Sequence, residues 1–188
     1  NNTGWTDWAS VYSALFNYLD EGEYQFIIKS RYEPLIEEET PVTIVFEVDA
    51  VQGPGIRVYT LLTEMSLNST ADVYIYAEDV EDMVITMFQV QYDKDILSLN
   101  PEAVSRGELL VIEEVMFFTE EISEGVLGIN FSALSHGGVT GTGSLVKLPF
   151  TSNEIGSTAI EILNPEFRDL SGSIITVKGS ANGMVKVE

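Results

Sequence analysis

The sequence predicts an all-β protein: a nine-stranded antiparallel sandwich of two sheets, preceded by a smaller β segment. The first observation behind this is a series of nine strand-like runs, Ile56–Leu62, Asp72–Glu78, Val84–Tyr92, Glu108–Phe118, Val126–Ala133, Ser144–Thr151, Thr158–Leu163, Ile174–Lys178 and Met184–Val187. Turn-forming residues separate them, as expected of a two-sheet architecture. The second is alternation: Phe88, Val90 and Tyr92, or Leu145 and Lys147, recur at the two-residue period that turns one face of a strand inward. The third is an absence of any fixed-period repeat or low-complexity tract, which argues against solenoids and propellers.

Ahead of these runs, Val42-Thr-Ile-Val-Phe-Glu-Val48 alternates into Asp49, and Gln52-Gly-Pro-Gly55 is the densest turn signal of the first half. The chain is therefore divided into residues 1–52 and 53–188. Leu19-Asp-Glu-Gly-Glu-Tyr-Gln-Phe26 resembles the start of a late strand in fibronectin type III and immunoglobulin-like sandwiches. That resemblance implies a tyrosine corner, in which Tyr24 bonds back to the backbone and Leu19, Tyr24 and Phe26 are core. Glu37-Glu-Glu39 is then a solvated turn between antiparallel strands Tyr24–Arg31 and Val42–Val48. An immunoglobulin-like sandwich needs about 100 residues, so 1–52 is expected to be a partial domain or a small appendage. Either case places apolar surface near Trp5 and Trp8. Trp5, Trp8, Val11, Tyr12, Leu15, Phe16 and Leu19 also carry helical spacing, which Asp7 could cap. The same resemblance favours instead a loop over Gly4–Trp8 and a strand at Ala14–Phe16.

The formal charge of -21 comes from 30 acidic against 9 basic residues. An excess of that sign repels phosphate backbones and anionic membrane surfaces, so neither nucleic acid nor lipid headgroups are expected partners. The chain has no cysteine, which rules out disulfides and thiolate metal sites. No apolar run approaches the roughly 20 residues that cross a bilayer, so membrane insertion is not expected. Asn1-Asn2-Thr3-Gly4 lacks signal-peptide character, and secretion would rely on a signal outside these residues.

The inventory for catalysis is thin. His136, the only histidine, lies in the turn-like Ser135-His-Gly-Gly138 with no Gly-x-Ser-x-Gly elbow beside it, and is expected to be structural or superficial. Carboxylates are so abundant that a chance pair would not signal glycoside hydrolysis, and the chain is not expected to be an enzyme. Asp79, Glu81 and Asp82 could offer oxygens to calcium. Their spacing does not fit the Asp-x-Asp-x-Asp-Gly loop, however, and a solvated acidic turn is the simpler expectation. Gly137-Gly138 and Gly141-x-Gly143 lack the Lys-Ser or Lys-Thr and the helix of a phosphate-cradling loop. No cofactor is expected.

Five segments occur in order along about 120 residues. They are Ala77 to Leu99, with an acidic turn, an alternating strand and Tyr92-Asp-Lys-Asp-Ile-Leu97; Arg106-Gly-Glu-Leu-Leu110; Gly128-Ile-Asn-Phe-Ser-Ala133; Gly141-Thr-Gly-Ser-Leu-Val-Lys-Leu-Pro-Phe150 with Ile155-Gly-Ser-Thr158; and Asn182-Gly-Met-Val-Lys-Val187. Together they resemble cohesin domains, with Lys94 standing where that family usually has proline. The resemblance implies a jelly-roll sandwich and a docking plateau on the strand Val84–Tyr92. With Phe88, Val90 and Tyr92 inward, Ile85, Met87, Gln89 and Gln91 face outward and become the candidate partner-binding residues. Ile85-x-Met87 replaces the Asn-x-Asp of cohesins that recognise the best-known dockerin class, which implies a more apolar partner helix.

The expected function is a non-catalytic protein-binding module of a secreted or cell-surface scaffold, taking a dockerin-like partner, with calcium needed by the partner. Two alternatives remain. A carbohydrate-binding module for a polysaccharide is one. The other is a structural spacer, suggested by the brief Gly53-Pro54-Gly55 link.

Overall fold

The computed structural model describes residues 4–11, 13–32, 36–110, 115–133 and 137–188. An N-terminal hairpin pairs β1 (Gly22–Ile28) with β4 (Val42–Val48), and between them the short β2 (Arg31–Tyr32) pairs β3 (Ile36–Glu37). The remaining strands are β5 (Gly55–Tyr59), β6 (Leu62–Met65), β7 (Thr70–Gln91), β8 (Leu97–Leu99), β9 (Ser105–Arg106), β10 (Met116–Ser123), β11 (Val126–Ser132), β12 (Val139–Ser152), β13 (Gly156–Asp169), β14 (Ile174–Ile175), β15 (Gly179–Ala181) and β16 (Gly183–Val187). They form the expected sandwich, with twelve strands among the described residues where the sequence suggests nine. Most pairs are antiparallel, and the exceptions, β15 with β5 and β16 with β6, are parallel.

Strand β7 organises the whole. Its first half pairs with β5 and β12, its second with β11 and β13, so one strand belongs to both sheets. The sequence suggests two strands here, Asp72–Glu78 and Val84–Tyr92. They join because the acidic stretch bends the strand without ending it. Asp79 and Asp82 take left-handed backbone angles (φ 47° and 51°), a region aspartate tolerates better than most residues. Their N–H groups donate to Thr142 Oγ1 and Thr140 Oγ1, each at 3.0 Å. The ladder with β12 shifts register at the same place, as bulges do.

Between the layers lie Ile56, Val58, Ile75, Phe88, Val90, Ile129, Leu148, Phe150, Ile160, Phe167 and Val185, all buried. Each such side chain removed from water contributes roughly 1.5–3 kcal/mol. Phe150 meets Tyr92 edge to face at 4.9 Å, so the tyrosine of the Tyr-Asp segment is anchored in the core. Asp93 then makes the turn that follows: its Oδ1 accepts from Asp95 N at 2.9 Å and its carbonyl from Leu97 N at 2.9 Å. Lys94, pairing with Glu124 at 3.1 Å, sits in that turn without the need for proline.

Several boundaries differ from expectation. Residues 56–62 divide between β5 and β6, and Ile174–Lys178 forms only the two-residue β14. The expected strand Glu108–Phe118 begins at Met116. Its first residues, Glu108–Leu110, form a 3-10 turn, because Gly107 N donates to Leu145 O and Glu108 N to Ser144 Oγ, both at 2.8 Å, and bury Leu110 against β12. Residues 111–114 of that run lie outside the described residues.

In the N-terminal part the tyrosine corner is present: Tyr24 Oη donates to the Asp20 carbonyl at 2.9 Å. Leu19, Tyr24 and Phe26 are nevertheless half-buried instead of core. The two-stranded sheet has only a partial cover, including Phe16, whose ring meets Phe26 at 4.8 Å. Ala14–Phe16 forms no strand, because no described strand lies alongside for it to pair with, and the described part of 4–21 holds no helix either. Tyr12 falls outside the described residues. Trp5 and Trp8 are exposed, with Arg31 stacked 4.5 Å above the Trp8 ring.

Candidate functional site

The second half of β7 lies between β11 and β13, so the side chains pointing away from the core form one row of a four-stranded face, β10-β11-β7-β13. Thr86, Phe88 and Val90 are buried, whereas Met87 is 38% exposed, Gln91 is exposed, and Ile85 and Gln89 are half-buried. Residues opposite one another across a ladder share a face. Met87 stands beside Asn130 of β11, which stands beside Phe118 of β10; Ile85 stands beside Ser132 and then Met116. Phe118 is 61% exposed and Met116 54%. At about 4.8 Å per strand, Met87 and Phe118 lie roughly 10 Å apart, separated by one polar row.

Ile122, at the register shift after Glu121, lies over the same face. Gly128, between Glu120 and Gln89, makes room for it: a Cβ there would lie 2.9 Å from Ile122 Cδ1. The result is an apolar field in two parts, Ile85 and Met87 on β7 and Met116, Phe118 and Ile122 on β10, on either side of Asn130 and Ser132. On the β13 side it ends at Glu166 and Arg168, which face Met87 and Ile85 and pair with each other at 2.6 Å. Exposed apolar side chains grouped on one face and bounded by a charged pair are a feature of protein-binding patches.

The sequence pointed to Ile85, Met87, Gln89 and Gln91 and missed Met116, Phe118 and Ile122. The available signal was the alternation Met116-x-Phe118, but the neighbouring Phe117, half-buried on the inner side, gives the run an apolar residue on both faces. Which of the two faces is outward depends on pairing with β11.

Elsewhere the structure offers little chemistry. His136 lies outside the described residues. Among those described, no group of three or more histidine, aspartate or glutamate side chains is arranged to hold a metal ion. Asp79 and Asp82 engage different threonines of β12, and Thr142 Oγ1 donates back to Asp79 Oδ1 at 3.2 Å. A shallow groove is lined by Glu81, Asp82, Asp169, Leu170 and Ile175. Asp169 Oδ1 accepts from Ser171 Oγ at 2.7 Å and from the N–H groups of Ser171 and Ser173, each at 2.9 Å. Those bonds, the Ser171 hydroxyl first, hold the carboxyl below its ordinary value.

A carboxyl whose folded pKa is depressed contributes stability above its unfolded value, lost as pH falls through the folded one. Removing the hydroxyl with Ser171→Ala is expected to raise the Asp169 pKa toward that of a free aspartate, read by carboxyl-carbon NMR titration. An unchanged titration would mean that the backbone N–H groups alone hold it.

Among the described residues no helix is long and apolar enough to cross a membrane. No protein-family model and no curated protein matches the sequence. Solved structures do match. The sixth cohesin of scaffoldin B from Acetivibrio cellulolyticus, solved with a dockerin, is similar at a TM-score of 0.63 and 21% identity, over 71% of this chain and 98% of that one. A non-cellulosomal cohesin from the hyperthermophilic archaeon Archaeoglobus fulgidus gives 0.61 and 18%, over 71% and 90%. The cohesin of a type I cohesin–dockerin complex from Clostridium thermocellum gives 0.61 and 14%, over 76% and 99%. The chain contains a cohesin fold.

Proposed function

We propose that this cohesin-fold chain is a non-catalytic protein-binding module of a secreted or cell-surface scaffold, and that its partner is a dockerin-like helical module. The observation that supports this most is the apolar field of Met87, Phe118 and Ile122, carried by a fold whose solved examples include cohesins bound to dockerins. A helix presenting apolar side chains can lie across such a field, with methionines adapting to its shape. Gln89 and Gln91 supply hydrogen-bonding groups at one margin and the Glu166–Arg168 pair at another. The module itself needs no metal for this.

Titration calorimetry against dockerin modules encoded in the same genome, with calcium present, is expected to show one-to-one binding by at least one of them. Absence of heat with every such module would overturn the proposal.

A further inference from the structure

We propose that Arg57 is a pin that locks the N-terminal hairpin onto the sandwich, so that the two move as one rigid unit. The inference is independent of what the sheet face binds. Arg57 lies in the middle of β5, between β15 and β7, and is 4% exposed. Its guanidinium is shared between the two parts. Nε donates to Glu78 Oε1 of β7, also buried. On the other side Nη1 lies 3.8 Å from Asp20 Oδ1 and Nη2 lies 4.0 Å from Glu21 Oε2, both residues immediately preceding β1. The rings of Tyr59 and Tyr76 flank the guanidinium, with centroids 5.0 and 5.3 Å from Cζ, and restrict the directions it can take.

Asp20 is tied at both ends of the joint. Its Oδ1 accepts from Leu61 N of the sandwich at 2.9 Å, while its carbonyl accepts from the Tyr24 hydroxyl of the hairpin at 2.9 Å. The tyrosine corner therefore leads directly to the contact with the sandwich. Burial, with the Glu78 charge adding and Arg57 opposing, pushes the carboxyl of the still exposed Glu21 above its ordinary value.

The connecting segment is seated as well. Val51 is buried against two glycines: a Cβ at Gly55 would lie 2.5 Å from its Cγ1, and one at Gly179 2.8 Å. Gly53 packs against Asp79, whose Oδ2 would be 2.8 Å from a Cβ there. Pro54 O accepts from Lys178 N at 2.7 Å. The connection hugs the sandwich and the pin fixes the hairpin beyond it.

The test uses the whole chain. Because it has no cysteine, nitroxides can be placed through Gln25→Cys on β1 and Ser157→Cys on β13, both exposed, and the distance distribution read by pulsed electron resonance. A single narrow distribution is expected. In the same background, Asp20→Ala with Glu21→Ala leaves the Arg57–Glu78 bond intact and is expected to broaden the distribution at least twofold, with the thermal unfolding of the sandwich unchanged. A broad distribution before substitution, or a narrow one after it, would overturn the proposal. Arg57→Met alone is a weaker probe, since it also leaves Glu78 buried without its partner.

Discussion

Met87→Asp combined with Phe118→Asp is expected to weaken binding of a dockerin-like partner at least ~100-fold. A hot-spot side chain at the centre of an interface costs about 2 kcal/mol or more when lost, and about 1.4 kcal/mol is a factor of ten. Two such losses that add come to about 4 kcal/mol, above the roughly 2.8 kcal/mol of a hundredfold change. Both side chains are exposed in the free chain, so stability should change by no more than about 0.5 kcal/mol each, as usual for surface positions. Ile85 is the less suitable choice. It is half-buried beside Arg168, and an aspartate there would mix lost packing with lost binding. Ile27→Asp, an exposed apolar residue on the hairpin, should leave affinity unchanged. Calorimetry for binding and a thermal melt for stability separate the outcomes: normal binding by the double variant would remove this face from the interaction, and unfolding would mean that the face is inward.

Glu78→Ala is expected to destabilise the sandwich by about 3–5 kcal/mol, the usual cost of leaving one partner of a buried ion pair without the other. Glu78 is 2% exposed and carries the direct bond to Arg57 Nε. Asp20 and Glu21 approach the guanidinium only at 3.8 and 4.0 Å, too far to replace that hydrogen bond. For a chain of this size each kcal/mol lowers the melting temperature by about 2–4 °C, so a fall of roughly 6–20 °C should appear in calorimetry. The contrast is Lys147 with Asp72, at 2.7 Å but on the surface; there Asp72→Ala should cost under about 1 kcal/mol, because water solvates whichever charge remains. If the two substitutions proved equally mild, Glu78 would not be the buried counter-charge described here.

The inward and outward sides of the second half of β7 are legible in its residues alone. Its two-residue period has only two registers, and the one that buries Phe88 and Val90 necessarily turns Met87 outward. The hairpin of β1 and β4 is legible in the same way, through the alternation of Val42–Val48, and the tyrosine corner is what the resemblance of residues 19–26 to a late strand of immunoglobulin-like sandwiches implies. These are local properties.

Whatever depends on which strands become neighbours was not legible in this way. Glu78–Asp82 reads as a turn, yet it remains within one strand, because Thr140 and Thr142 of β12 supply the acceptors for the two bent N–H groups. Glu108–Leu110 reads as strand, yet it coils, because the Ser144 hydroxyl captures the Glu108 N–H. Phe118 and Ile122 joined the candidate face only through the register of β10 against β11 and the room left at Gly128. Arg57 gave no signal, being one of nine basic residues in an acidic chain. Its role arises from Asp20, Glu21 and Glu78, which lie 37, 36 and 21 positions away in sequence and converge only when strands fold together. Alternation records which face of a strand is apolar; contact between distant strands leaves no such periodic trace in a single sequence.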